Sequence, residues 1–501
     1  MERDWQGADA FQQLRAAELH GVEGGNDHAV KGTEERLVET AGGERISARE
    51  LQSTEPMSRR AALIALALAI ALHVGLAIGF ATRTPFRTAG VLLGQRGPEG
   101  YARALDIGAP DERQHANQIA RYARGEVPVF DPKDPQLYET YQAHQPPLYY
   151  ALASVVTKGD PTPDRALAYR WPNLVFGALA VAGVFAFGWL ASGRWEVAVG
   201  VAAVAAPWPM LCALSGASSN DPLLIALVTW ALASLMGVRR DGWNPYWSLL
   251  FGVLTGLAVL TKTTAVVLYA VGLVALVLTR DRARYWWAGQ AAALLIPCAW
   301  LLRNQQLYGD PLALRAFSEA FVGSAQKSTI LQVISATTPG VPPETSYWIN
   351  WIGWWSFRSL VGVFGYMDIW LNESGASPGG PNALYRVLLL LFLAAGIGAV
   401  LWLRRGGANA RAAGIVGGVL FALVLMSFVR FNMTFFQAQG RYLLPALAPL
   451  CAALAGGIGF YLRRNVLVGG LLVGAVFLGT SVYALSRLPN EFALRMERSA
   501  P

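Results

Sequence analysis

Only three cysteines occur in 501 residues, and Cys212, Cys298 and Cys451 all fall inside apolar runs with no paired spacing. That excludes a disulfide framework or a zinc knuckle and leaves the three as small core residues. Charge is scarce too: Asp, Glu, Lys and Arg make up 15% of the chain against 54% hydrophobic residues. A soluble domain carries about a quarter charged residues, so a soluble globular protein is excluded. No internal repeat stands out, which weighs against transporters built from duplicated halves. The net charge of +8 is carried by arginines clustered at the ends of apolar runs. There they orient membrane spans, and nucleic acid is not the expected partner.

What is present is a series of uncharged runs, each near the roughly 20 residues a helix needs to cross a bilayer. The first follows Arg59 and Arg60; others lie at about 172–191, 196–214, 221–238, 246–261, 263–279, 286–302, 383–403, 412–430, 442–462 and 465–485. Alternate threading puts Arg194, Arg239, Arg240, Arg280, Arg404 and Arg463 on one side, as the positive-inside rule requires, with the N-terminus inside. The pattern predicts an all-α, polytopic membrane protein of about 11 to 13 transmembrane helices, the count depending on 246–279 and 348–371. Residues 1–57, polar and without the order of a cleaved signal, read as a disordered cytoplasmic tail, and 486–501 as an extracytoplasmic one. Residues 58–485 form the membrane domain. Its first outer loop, 81–170, is long and rich in apolar residues, so a folded loop with amphipathic juxtamembrane helices is expected. A second long outer segment, 303–382, is crowded with aromatic rings that favour the membrane boundary, as an interfacial helix, a re-entrant element or a pair of crossings.

Ionisable groups gather on the outer side. In "PDERQHANQIARY", Asp111 reads either as a helix cap or as a reactive carboxylate, with Glu112 beside it and His115 one turn on. "HQPPLYY" fixes His144 and Gln145 before a rigid diproline. Two imidazoles near carboxylates leave a divalent metal open, although a separation of about thirty residues is no metal signature. Asp221 opens a span after "SSN". Lys262 stands amid apolar residues, where a lone lysine costs about 2.5–3.5 kcal/mol at mid-membrane. Arg303, Asn304, Arg441 and Tyr442 fall at outer ends. Acids and cations so mixed suit a reaction in which a carboxylate takes a proton from a hydroxyl while Arg or Lys holds a departing phosphate. A transporter or flippase would instead spread its charges through the bilayer. A non-catalytic envelope scaffold is the third alternative.

With "PDERQH", "HQPPLYY", "SND", "LTKTT", "RNQQLYGDP" and "GRYLLP" in this order, the chain resembles the GT-C superfamily of polyprenyl-phosphate-sugar-dependent membrane glycosyltransferases. That group includes protein mannosyltransferases and lipid A aminoarabinose transferases. The resemblance implies a GT-C-like helical bundle in a bacterial cytoplasmic membrane, an extracytoplasmic active site, a polyprenyl-phosphate-linked sugar as donor, and a lipid, glycan or protein as acceptor. It implies that Asp111 is the base and Asp221 a supporting acid, and that Lys262 and Arg441 contact the lipid phosphate. The aminoarabinose transferases often carry Lys before the diproline, where this chain has Gln145. No nucleotide-binding motif is expected, and none is seen.

Overall fold

The computed structural model of the chain describes residues 37–39, 45–47, 57–97, 100–279, 283–321, 325–371 and 383–497. Of the expected N-terminal tail only Met57 and two short strands are among them: Leu37–Glu39 pairs antiparallel with Arg45–Ser47, Val38 opposite Ile46. The rest of that expectation lies outside the described residues. From Met57 onward the chain is a separate compact unit.

Every apolar run expected to cross the membrane coincides with helix. Among the described residues eight helices are long and apolar enough to cross, or nine if Trp195–Ala205 and Pro209–Ser215, bent by 71° at their junction, form one span. This is fewer than 11 to 13, because Pro245–Val259 and Thr263–Thr279 are short helices broken apart at Thr261 and Lys262. On Ala383–Arg405, the exposed Val387, Leu390, Leu393, Ile397 and Val400 recur every three or four residues and so share one face. An apolar stripe of that length faces lipid, not water, and the chain is an integral membrane protein. By contrast, Asp221–Asp241 is buried nearly all round at the centre of the bundle.

Lipid tails are as apolar as leucine, so helix association here depends on close packing and polar ties. A Cβ at Gly252 would stand 2.1 Å from the carbonyl oxygen of Gly289, and one at Gly398 2.1 Å from that of Gly457, so these helices touch backbone to backbone. The bend at Pro207 and Pro209 frees carbonyls that the membrane cannot hydrate. His73, fully buried, binds the Ala206 oxygen at 2.9 Å and Ser215 Oγ at 3.0 Å, and Ser481 donates to the Pro207 oxygen at 2.8 Å.

Among its described residues the second long outer segment contains no helix long enough to span. The aromatic stretch winds as a π turn over Tyr347–Trp354, continues as α-helix over Trp355–Gly362, then doubles back in a hairpin pairing Val363 with Trp370. The last helix, Val466–Met496, runs past the expected end at 485 and takes in most of the tail. Its final turns are stabilised by buried charge: Arg495 Nε meets Asp368 Oδ2 at 2.7 Å and its Nη1 meets Glu491 Oε2 at 2.9 Å. Charges spaced four apart read as a solvated face when that partner in the distant hairpin is not known.

Candidate active site

The helix Glu112–Ala123 begins beside Asp111, but the carboxylate makes no capping bond. Its residue sits in the left-handed region at φ 63°, a strained conformation for a side chain with a Cβ, and such strain is held only where the surroundings demand it. Asp111 thus opens the helix by position, while its side chain does not serve as the cap that one of its two readings offered. The side chain turns instead toward Tyr141, whose hydroxyl donates to Oδ1 at 2.6 Å, and toward the guanidinium of Arg441, which contacts Oδ2. Burial alone would raise the Asp111 carboxyl, yet Arg441, Tyr141 and His115 together hold it down to about 2.

Arg441 is placed by a close approach. Gly440 precedes it in the short 3-10 helix Gly440–Ala446 and donates its N–H to Ser359 Oγ at 2.6 Å; a Cβ on Gly440 would stand 2.2 Å from the Ser356 oxygen. From there the buried guanidinium reaches both Asp111 and, at 3.9 Å, Oδ2 of Asp221. Asp221, in the first turn of the central helix, accepts from Lys262 Nζ at 2.7 Å through its other oxygen. The ring of Tyr442 lies 5.1 Å from the Lys262 ammonium and 5.2 Å from the Arg441 guanidinium, a cation–π contact with each.

Lys262 reaches this cluster because the helix breaks there. The carbonyls left open are met from outside: Leu148 N–H donates to Leu260 at 3.0 Å, and Asn220 to Thr261 at 3.4 Å. Asp111, Asp221, Lys262, Arg441 and Tyr442 therefore form one constellation at one end of the bundle.

Residues 144–302 match a family described as dolichyl-phosphate-mannose-protein mannosyltransferase. Among solved structures, the oligosaccharyltransferase of Archaeoglobus fulgidus aligns with 86% of this chain at 14% identity and a TM-score of 0.54. The chain shares the fold of that archaeal protein, the GT-C fold. It spans 55% of the archaeal protein's length. ArnT from Cupriavidus metallidurans aligns with 84% of this chain, over 76% of its own, at 14% identity and a TM-score of 0.44. No curated protein matches the sequence.

Glu112, expected beside Asp111 as a second catalytic acid, is turned away from the Asp111–Arg441 contact. It is buried and grips Arg170 with both oxygens, at 2.7 and 2.5 Å, and accepts from Ser218 N–H at 2.8 Å. Arg170 in turn donates to the carbonyls of Ala81, Thr84 and Pro85 at the end of the first membrane helix. Asn173 donates to the oxygens of Ala217 and Ser219. These ties fix the backbone next to Asp111 and next to Asp221 against the same two membrane helices.

His115 lies behind the carboxylates, hydrogen-bonded to Tyr150 at 2.9 Å and stacked on its ring; burial pushes it down to about 3. His144 donates to the Tyr141 carbonyl at 2.5 Å and accepts from Gln145 at 2.9 Å, with burial lowering it to about 4. Gln145 also accepts from Asn220 at 3.4 Å. His144 thus has both ring nitrogens engaged by neighbours, and His115 its Nδ1. No group of three His, Cys, Asp or Glu among the described residues is arranged to hold a metal ion. Asp111 and Asp221 already face protein cations, so the residues present do not fit a divalent metal. Arg303 and Asn304 are not brought to the cluster: Arg303 donates to the Pro128 carbonyl at 2.8 Å and stacks on Trp300, and Asn304 donates to that of Pro311 at 3.1 Å. Tyr141 was not legible in the sequence, since nothing in its spacing marks it among the chain's 17 tyrosines.

Proposed function

We propose that the chain transfers a sugar, with inversion, from a polyprenyl phosphate to a hydroxyl or amide of a lipid, glycan or protein acceptor on the extracytoplasmic side of the cytoplasmic membrane. The observation that carries this reading is that Asp111 and Asp221 share Arg441, with Lys262 on the second acid. The donor class follows the description of the matched family, whose sugar rides on dolichyl phosphate.

In the proposed reaction the acceptor attacks the anomeric carbon, the bond from that carbon to the phosphate oxygen breaks, and its electron pair leaves with the phosphate. The acceptor proton goes to Asp111. Arg441 and Lys262 take up the charge growing on the phosphate, a role in which guanidinium and ammonium groups are strongest when desolvated. A buried Arg441 Nε without a protein acceptor is one donor for it. Asp111 beside Arg441 is a weak base; once a phosphate shares that cation, less positive charge faces the carboxylate and its proton affinity rises. The base is strengthened by the arrival of the donor.

The test is transfer from a lipid-linked sugar by the purified full chain and by Asp111→Asn. Loss of a general base lowers the rate by about 10²–10⁴-fold. A folded variant with full activity overturns the assignment.

A further inference from the structure

A cleft of about 610 Å³ opens on the other side of the helix Glu112–Ala123 and does not include Asp111. Four arginines, Arg87, Arg113, Arg121 and Arg124, line it together with Asp160 and Thr162. Three of the four have carboxylate partners: Arg113 faces Asp106 and Glu139 at 3.8 and 3.6 Å, while Arg121 and Arg124 share Glu126. Arg87 differs, since its guanidinium donates to the neutral oxygen of Asn117 at 2.6 Å. Its residue is held at φ 53°, the left-handed region again, and burial together with the nearby Arg113 charge lowers its proton affinity. Carboxylates balance the other three arginines, and Glu139 and Asp106 stand near Arg87 as well, but a half-buried guanidinium whose one direct acceptor is a neutral amide is stabilised by an anion that a second arginine can share.

The position of the cleft says where such an anion comes from. Asp160, Pro161, Thr162 and Pro163 on its rim belong to the short connection from Leu148–Val156 to the long membrane helix Ala166–Ser192. On either side of that connection Leu152, Val155, Val156, Leu167 and Trp171 are exposed. Apolar side chains there lie against lipid, and a tryptophan at a helix end sits at headgroup level. The connection is fastened at that height, Tyr169 donating to the Gly159 carbonyl at 2.5 Å.

We propose that this cleft binds the phosphate of an anionic lipid headgroup, bridged by Arg87 and Arg121. The assignment holds whether or not Asp111 transfers a proton.

Native mass spectrometry of the purified full chain tests it, with added phosphatidylglycerol, phosphatidylcholine or inorganic phosphate. The expected result is retention of phosphatidylglycerol over phosphatidylcholine, weakened about fivefold for each guanidinium removed in R87Q/R121Q. R103Q, an exposed arginine on the strand Gly100–Ala104 outside the cleft, should bind as the parent does. Equal binding by R87Q/R121Q and the parent overturns the proposal. So does binding of inorganic phosphate with no preference between the two lipids, which moves the ligand from a headgroup to a free anion. If R87Q disturbs the fold, R121Q alone gives the reading, a loss of about fivefold, because that side chain is 30% exposed and pairs only with Glu126.

Discussion

Asp111 and Arg441 touch through their charged ends although 330 residues separate them in the chain. The contact joins the first outer loop to the start of a helix near the C-terminus, and Arg441 carries it on to Asp221. One guanidinium serving two carboxylates makes this residue hard to replace.

Arg441→Gln should therefore leave two acids short of a cation in a buried site, lowering stability by about 3–5 kcal/mol. Arg441→Lys keeps the charge and should keep the fold, but a single ammonium cannot serve two acids with the planar fork of arginine. Thermal unfolding of both variants, beside their transfer rates, checks this. Full transfer by Arg441→Lys would refute the shared-cation reading.

Tyr141 lowers the Asp111 pKa through its hydrogen bond. Tyr141→Phe should move the acidic limb of the pH–rate profile upward, toward the ordinary carboxylate range. A limb that stays in place while only the plateau falls would assign Tyr141 to packing alone.

Adjacent acids should fail differently. Glu112→Ala strands the buried Arg170, so a stability loss of about 3–5 kcal/mol is expected, with activity falling because the site comes apart. Asp111→Asn also loses a charge facing Arg441, but at a part-exposed side chain, so it should lose less stability than Glu112→Ala while its transfer rate collapses. Circular dichroism melts of the pair separate scaffold from chemistry, and a Glu112→Ala protein as stable as the parent contradicts this division of labour between the two acids.

Both outer-loop histidines resist protonation when folded, His115 to about 3 and His144 to about 4, against 6.5 for an ordinary imidazole. Below pH 6.5 the unfolded chain binds protons that the folded one refuses. The stability these depressed groups lend is present above pH 6.5 and is lost as pH falls toward those values. Replacing His144 with Gln should flatten the stability curve between about pH 6.5 and 4, as denaturant titrations at several pH values would reveal.

The helical bundle was legible because membrane spans are read from composition and length, and the lipid-facing stripe on Ala383–Arg405 is what such runs require. Asp111, Asp221, Lys262 and Arg441 could be gathered on one side because Asp221, Lys262 and Arg441 stand at the ends of apolar runs and Asp111 in the loop after the first. Roles set by a distant partner could not be read. Glu112 looks like a second reactive acid until Arg170 is seen beside it. Arg303 and Asn304 share the placement of Lys262 and Arg441 in the sequence, yet they brace the carbonyls of Pro128 and Pro311. The left-handed turn at Asp111 was hidden for the same reason, since Pro-Asp-Glu is locally an ordinary helix opening.

The chain separation between Asp111 and Arg441 also governs biogenesis. At about 5–20 residues per second, a ribosome needs tens of seconds after making Asp111 before Arg441 exists. Through that interval the carboxylate must stay hydrated outside the bilayer, unlocked from its strained turn. Nascent chains stalled before the last two helices should consequently hold an open, acid-bearing loop that quality-control proteases can recognise.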